Sequence, residues 1–361
     1  MTGRLSAVYV SYDGALDPLG SSQVVPYVIG LAGNVHMTLI SFEKGSRWEA
    51  GDRRQAMRGR LSSAGVDWRP QRYHARPRLP ATAWDIARGA LAITAAARET
   101  AARIVHCRGD VAMTMARVAR LRAGTKILYD VRGLFAEERV EAGSWRRGSL
   151  LDRAVRRSEA ANLDRADGIV TLTAAARDVL AARRTPLPPH RVIPTCADTR
   201  TFRPPAADET AEYSLVYSGS LGGWYLTAEM IAFAREASAA MGSRVLFLTP
   251  QVAEAQSAGA HGPWVDVREA PPEDVPAWLR RARALFFFIT PSPAKRASCP
   301  TKLAEALASG IPVVVNRGVG DLDEVVGGTG VGVLVESFTH DGYARAIAAL
   351  AGTWATNSLY S

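Results

Sequence analysis

The residue types best suited to chemistry stand in one run, Ser298-Cys299-Pro300-Thr301-Lys302-Leu303-Ala304-Glu305-Ala306-Leu307-Ala308-Ser309-Gly310-Ile311-Pro312-Val313-Val314-Val315-Asn316. Pro300 suits a first helical turn, where its missing N–H would be unpaired anyway. Ser298 or Cys299 is expected at the cap, and Gly310 is expected to end the helix before a buried strand. A helix start that follows a strand, here Leu285–Ile289, offers free N–H groups and a partial positive charge, and together these bind phosphate. Lys295, Arg296 and Lys302 add full charges at the same spot. At ~1.5 Å of rise per residue, Glu305 lies about 7 Å along the axis from Pro300. That matches the reach from a pyrophosphate to ribose hydroxyls, which a carboxylate accepts. A nucleoside diphosphate laid along the helix fits this constellation; a capped amphipathic helix with Glu305 in solvent is the plainer alternative.

A second polar group follows an earlier apolar run, in Tyr129-Asp130-Val131-Arg132-Gly133-Leu134-Phe135-Ala136-Glu137-Glu138-Arg139. Asp130, Arg132, Glu137 and Glu138 are candidates for binding donor or acceptor hydroxyls. An internal ion pair among Asp130, Arg132, Glu138 and Arg139 is the competing reading. His106 ends another strand, where it either lines a cleft or sits satisfied in the core. Gly20 is expected to open a tight turn after the first strand, unless it is an ordinary turn glycine. No His/Cys cluster with ligand spacing occurs, so no metal is expected.

These residues need a scaffold, and the rest of the chain supplies one. Short apolar runs (Leu5–Val10, Met37–Ser41, Val66–Arg69, Ile104–Cys107, Lys126–Val131, Gly168–Leu172 and Val192–Pro194) alternate with Ala-rich amphipathic stretches. After a proline-rich joint, Phe202–Asp208, the alternation restarts with Ser214–Ser218, Arg244–Leu248, Leu285–Ile289, Pro312–Asn316 and Gly332–Val335. Strands alternating with helices imply parallel sheets covered on both faces. The expected fold is α/β, two Rossmann-like domains facing a central cleft, over residues 1–203 and 204–340, with a terminal helix and tail over 341–361. Ligands of such sheets bind at the carboxyl ends of strands.

Composition agrees. A chain of 361 residues with 47% hydrophobic and 22% charged residues is ordinary for a globular protein and can bury two cores. Cys107, Cys196 and Cys299 lie far apart, which excludes a disulfide framework and suits a reducing compartment. The N-terminus carries no secretory pattern, and the most apolar stretch, Ala284–Thr290, is far short of the ~20 residues of a membrane span. The net charge of +9 is uneven: residues 1–205 hold 33 Lys and Arg against 19 Asp and Glu, whereas residues 206–361 hold 11 against 16. The basic part therefore meets an anionic partner, such as a phospholipid surface or polyphosphate, or carries solvated basic faces. Nucleic acid is disfavoured, since aromatics do not interleave with the arginines.

The 298–316 run resembles the nucleotide-sugar signature of family 4 retaining glycosyltransferases of the GT-B fold, in which a helix ending in E-A-x-A-x-G-x-P-V-V holds the donor. Tyr9–Gln23, Val192–Phe202, Val216–Gly222 and Gly318–Glu324 are similar to further stretches of that family, in its order and over nearly the whole chain. The resemblance implies that Glu305 binds the ribose, and that Lys302 and the amides near Ser298, Cys299, Pro300 and Thr301 hold the diphosphate. It places Gly219 and Ser220 close to the phosphates and Glu324 near base or ribose. It also directs Gly20 and the helix start at Ser21, Ser22 and Gln23 toward the phosphates from the first domain. Three positions depart from the family. A second glutamate, eight residues before Glu305, is replaced by Ala297. The Gly219–Tyr225 stretch lacks the usual Arg and Lys, so Lys295, Arg296, Lys302 or Arg132 is expected to supply their charge. A histidine that touches the donor sugar is replaced at about Arg132.

Cleavage of a sugar–phosphate bond leaves negative charge on the departing diphosphate, and helix amides with Lys302 would stabilise it. The resemblance implies retention of configuration, with Arg132, Lys302 and Glu305 as the catalytic set, no metal or cofactor, and a nucleotide-diphosphate sugar as donor. The acceptor is expected to be a lipid-linked glycan or a secondary metabolite. The protein is expected in the cytoplasm, with peripheral contact to an anionic membrane. A nucleotide-sugar 2-epimerase of the same architecture, or a non-catalytic donor-binding homologue, is the alternative. Family members generally continue past the last helix to brace the first domain. A chain stopping soon after Tyr343–Thr353 is expected to have a shortened brace, or one supplied by a partner subunit.

Overall fold

The computed structural model describes residues 4–356; the tail expected over Asn357–Ser361 lies outside them. The chain forms two compact units, Met1–Ile193 and Pro194–Ser361. The division falls before the proline-rich joint rather than within it. Local bonding explains this: the Thr195 hydroxyl donates to the Cys299 carbonyl at 2.8 Å, and Pro204 packs where a Cβ on Gly310 would stand, at 3.2 Å. The joint therefore belongs to the second unit's own packing.

The first unit is built on seven parallel strands: β1 (Ser6–Ser11), β2 (His36–Glu43), β3 (Val66–Arg72), β4 (Ile104–Arg108), β5 (Lys126–Val131), β6 (Gly168–Thr171) and β7 (His190–Val192). Their order is β3-β2-β1-β4-β5-β6-β7, so the direction of winding reverses between β1 and β4. The second unit has six: β8 (Leu215–Ser218), β9 (Val245–Leu248), β10 (Val265–Arg268), β11 (Leu285–Phe287), β12 (Val313–Asn316) and β13 (Gly332–Val335). Their order is β10-β9-β8-β11-β12-β13, with the reversal between β8 and β11. These reversals are the switch points at which doubly wound sheets open a crevice for ligands.

Central strands read as unbroken apolar runs because helices cover both faces. β8, β9, β11 and β12 are buried throughout. Phe286, Phe287 and Phe288 are fully buried, and Phe286 and Phe288 join Phe233, Phe247 and Tyr217 in an aromatic cluster with ring centroids 5.4–6.3 Å apart. Pro70, which could not serve a central strand, lies in β3 at the sheet edge.

Several expectations shift. The strand at Leu285–Ile289 ends at Phe287, because Ile289 leaves the sheet to bridge Tyr225. The stretch 45–63 is helical over Gly45–Trp48 and Gly51–Ser63; only Leu61 of the second helix is buried, so apolar periodicity could not reveal it. The last helix, expected over Tyr343–Leu350, runs from His340 to Thr356. Gly20 does not open a tight turn. It lies in a π-helical turn, Gly20–Val24, where a Cβ would stand 1.7 Å from the Gly14 carbonyl oxygen, so close backbone approach requires glycine. The Ser21 amide already donates to the Asp17 carbonyl at 2.8 Å, so the free helix start expected at Ser21 is not there. No helix among the described residues is long and apolar enough to cross a membrane.

Candidate functional site

The second unit's switch point is assembled from three strand ends and one helix tip. Asn316, at the end of β12, accepts from the Ile289 amide at 2.8 Å and donates to the Ile289 carbonyl at 2.9 Å, which fixes the chain leaving β11. From there Ala294–Ala297 forms a 3₁₀ turn and Thr301–Ala308 a helix. Gly310 closes that helix with φ +70°: its amide donates to Leu307 and that of Ile311 to Ala306, each at 3.1 Å, the two bonds of a Schellman ending.

The helix tip is bare. Its cap is Pro300 rather than Ser298 or Cys299, and no side chain bonds the first-turn amides. Cys299 faces elsewhere, its Sγ taking the Thr195 amide at 3.3 Å. Pro300, expected within the first turn, thus stands one position before it. The Leu303 amide donates to the Pro300 carbonyl at 3.1 Å, and the amides of Thr301 and Lys302 are the ones that could make this helix start an anion site.

Lys302 is buried beside this tip. Its Nζ donates to the Tyr225 hydroxyl at 2.7 Å and lies 4.1 Å from the Tyr225 ring centroid and 5.4 Å from that of Tyr217. Gly219, after β8, makes the room: at its φ of +130°, a Cβ would fall 2.7 Å from Nζ. Among the described residues this ammonium forms no ion pair. Lys295 is likewise buried, with Nζ 4.0 Å from the Trp224 ring centroid. Aromatic faces therefore hold both cations, and that of Lys302 leaves its charge available to an incoming anion. The loop bearing Trp224 and Tyr225 is pinned to the β11 exit: the Leu226 amide donates to Phe288 at 3.0 Å and the Thr290 amide to Trp224 at 2.9 Å.

Glu305 follows Lys302 by three residues, on the same helical face. It is half-buried, and burial pushes its carboxyl above the ordinary range although Lys302 opposes the shift. Among the described residues its carboxylate has no hydrogen-bond partner. Ala297 is fully buried and presents nothing polar where the family carries its other glutamate. Ser220 and Arg296 are exposed, and the Ser220 carbonyl accepts from the Tyr217 hydroxyl. Glu324 is exposed in the first turn of the helix Leu322–Thr329.

The remaining candidates belong to the first unit and gather at its own switch point. Asp130 is buried, with Oδ2 3.6 Å from His106 Nε2 and Oδ1 3.5 Å from Arg132 Nη1. Burial pushes its pKa up, but His106, Arg132 and Arg108 more than offset that and hold it below the usual carboxylate value. His106 also packs on Tyr9, ring centroids 4.5 Å apart. Of the ion pair expected among four residues, Asp130 and Arg132 pair with each other, while Arg139 lies over Phe135, 5.0 Å from its centroid. Glu138 fills the space beside Gly133, where a Cβ would meet its Oε1 at 2.5 Å. Glu137 is bonded to Arg147 and Arg156, which hold its carboxyl near 2, so its oxygens are committed to ion pairs.

The site therefore unites Gly219, Lys302, Glu305 and the Thr301 tip, and adds Tyr225, Trp224, Tyr217 and Asn316, which the sequence reading missed. Two adjacent aromatics after a glycine-rich turn were the available signal. They went unread because a replacement cation, not a holder for one, was sought there. Among the described residues no group of three or more His, Cys, Asp or Glu side chains is placed to hold a metal ion.

Known proteins resemble this chain in sequence family and in fold. Residues 28–196 match the family described as Glycosyl transferase 4-like domain, and residues 238–352 match Glycosyl transferases group 1. No curated protein matches the sequence. Among solved structures, sucrose-phosphate synthase from Thermosynechococcus elongatus is 16% identical and has a TM-score of 0.66, the match covering 99% of this chain and 92% of that one. The lipopolysaccharide outer core galactosyltransferase WaaB in its apo form is 13% identical with a TM-score of 0.64, covering 96% and 91%. A UDP-N-acetylglucosamine 2-epimerase is 14% identical with a TM-score of 0.57, covering 98% and 88%. These likenesses establish the fold, and the two family matches decide between chemistries that share it: the chain belongs to the GT-B-fold glycosyltransferases, its first domain of the 4-like type and its second of group 1.

Proposed function

We propose that the protein transfers a sugar from a nucleoside-diphosphate donor to an acceptor hydroxyl, with retention of configuration and without a metal or other cofactor. The observation that carries this reading is Lys302: a buried ammonium, held by a tyrosine hydroxyl and two ring faces beside an uncapped helix tip. As the sugar–phosphate bond breaks, charge develops on the leaving diphosphate, and donors already fixed in place stabilise it without reorganising. Glu305, one turn along, accepts the ribose hydroxyls, with Gly219 and Ser220 passing the phosphates and Glu324 nearer the base. Asp130, Arg132 and His106 serve the sugar side. The departing phosphate takes the acceptor proton, so no separate base is assigned.

The protein is proposed to act in the cytoplasm with peripheral membrane contact. Leu79, Trp84 and Leu91 are 61%, 57% and 71% exposed along the helix Arg78–Glu99, on the unit that carries the excess of arginine. Apolar side chains among basic ones suit an anionic lipid surface. Co-sedimentation with anionic but not neutral vesicles is the expected result.

Incubation with a panel of nucleotide sugars, with and without chelator, tests the reaction. Chelator-insensitive release of nucleoside diphosphate, with sugar found on an acceptor and its anomeric configuration kept, is expected. Interconversion of the donor without release would make the chain an epimerase. Binding of donor with neither outcome would make it a donor-binding protein.

A further inference from the structure

Parallel register sets Ser11, Arg108 and Asp130 side by side across β1, β4 and β5, at the strand ends that flank the first unit's switch point. Arg108 is 7% exposed, yet among the described residues its guanidinium donates no hydrogen bond. Its nearest carboxylate, on the largely solvated Asp13, stands 3.7 Å from Nε, and that Nε is buried without a partner. The Ser11 hydroxyl and Arg132 Nε beside it are also buried and unpartnered. Buried donors such as these are seldom left unsatisfied, since burial removes their water and nothing replaces it. The buried carboxylate of the row, Asp130, pairs with Arg132, and the charge of Arg108 also acts on it.

We propose that this row binds an oxyanion, a phosphate or carboxylate, carried by the sugar acceptor. One such group would take the fork of Arg108, the Ser11 hydroxyl and Arg132 Nε. A planar fork suits two oxygens of one anion, which an ammonium cannot match. The acceptor is therefore an anionic alcohol, such as a sugar phosphate or a phosphate-bearing lipid, rather than a neutral aglycone. That the oxyanion belongs to the acceptor rests on the transferase reading; that the row binds an oxyanion does not.

Calorimetric titration of the full chain with inorganic phosphate and with glucose 6-phosphate, glucose being the uncharged control, tests the site. Saturable binding of both phosphates and none of glucose is expected. Arg108→Met should weaken phosphate binding by about tenfold or more, the worth of a charge-assisted bond. Replacement of the exposed Arg53 by Gln should leave it unchanged. Arg108→Met should also match or exceed the wild-type Tm in phosphate-free buffer, and should lose the rise that phosphate gives the wild type. A purely structural arginine would do the opposite, and a fall in Tm without phosphate overturns the proposal, as does equal phosphate binding by the variant. Lys302→Ala and Arg108→Met, each titrated with nucleoside diphosphates, separate donor from acceptor. Unchanged diphosphate affinity in Arg108→Met supports an acceptor site, whereas loss parallel to that in Lys302→Ala assigns the row to the donor and overturns it. Vesicles containing phosphatidic acid distinguish the source: binding that depends on Arg108 assigns the phosphate to a lipid, and loss of glucose 6-phosphate binding alone assigns it to a soluble acceptor. If no donor is ever turned over, the transferase reading fails while the phosphate result still stands.

Discussion

The two units bury charge in opposite ways. Within the first, the interior is full of carboxylates, and each has a partner: Asp17 with Lys44, Glu43 with the Ala15 and Leu16 amides, Asp85 with His74, Asp152 with Arg156, Glu159 with the Ala136 amide. Within the second, Lys295 and Lys302 are the charged side chains buried among the described residues, and aromatic faces hold both. An ion pair neutralises a cation, whereas a ring face stabilises it and leaves its field intact. The acids of the first unit thus brace its loops, whereas Lys302 in the second forms no ion pair among the described residues and keeps its charge. Arg108 is the exception that makes the first unit resemble the second.

The largest effect should come from removing that waiting charge. Lys302→Ala is expected to lower sugar transfer by about 10²–10³-fold, the usual loss when one preorganised oxyanion donor is deleted, with Tm nearly unchanged. Gly219→Val should do similar damage by another route. Its Cβ would occupy the place of Nζ, at a φ of +130° that side-chain-bearing residues rarely adopt. The strain costs about 1–3 kcal/mol of stability as well. Steady-state assays beside thermal melts separate the two variants. Full activity in Lys302→Ala would mean that its ammonium serves the fold alone.

A smaller loss is expected at Glu305. The alanine variant should bind donor about tenfold more weakly, since hydrogen bonds to a charged group contribute ~1.5–3 kcal/mol. Burial raises the Glu305 pKa, so the charged form is lost at a higher pH than for an exposed glutamate. Donor affinity should therefore fall as pH drops through that raised value, and Glu305→Gln should abolish the dependence. An identical pH profile in the glutamine variant would remove the carboxylate from donor binding. Tyr225→Phe should cost less still, roughly fivefold in donor affinity, because the ring stays beside Lys302 and only the hydroxyl bond of about 1 kcal/mol is lost. Tyr225→Leu should cost more than Tyr225→Phe, and equal losses would show that the ring face contributes nothing.

The helix Thr301–Ala308 was legible because its signals are local. Glycine at the end, proline near the start and a run of β-branched residues beyond it each act within a few positions. The helix at Gly51–Ser63 was not, since its polar sequence carries no periodic apolar face and tertiary contact at Leu61 holds it. The Lys302–Tyr225 contact spans 77 residues and has no local signature. The same holds for the Ser11–Arg108–Asp130 row, which exists only because β1, β4 and β5 lie side by side. Glu137 and Glu138 looked alike in sequence, and the arginines that claim Glu137 come from elements the periodicity could not align.

The smallest predicted effect tests the first unit's side of the comparison, where acids are meant to be structural. Asp110, in the first turn of the helix Gly109–Val118, accepts a hydrogen bond from the Tyr129 hydroxyl and borders a cavity of about 290 Å³. Removal of its carboxyl from water, with the charge of Glu159 adding to it, pushes its pKa up to about 7. The folded protein thus holds a proton there that the unfolded chain, with an ordinary pKa near 4, gives up. Stability from Asp110 is fully present below that ordinary value and is lost as pH rises through about 7. Asp110→Asn keeps an acceptor for Tyr129 but cannot ionise. Its Tm should equal that of the wild type near pH 4 and exceed it by a few degrees at pH 8, in melts at matched ionic strength. Parallel Tm–pH curves for the two proteins would mean that Asp110 is already ionised in the fold and belongs with the paired acids.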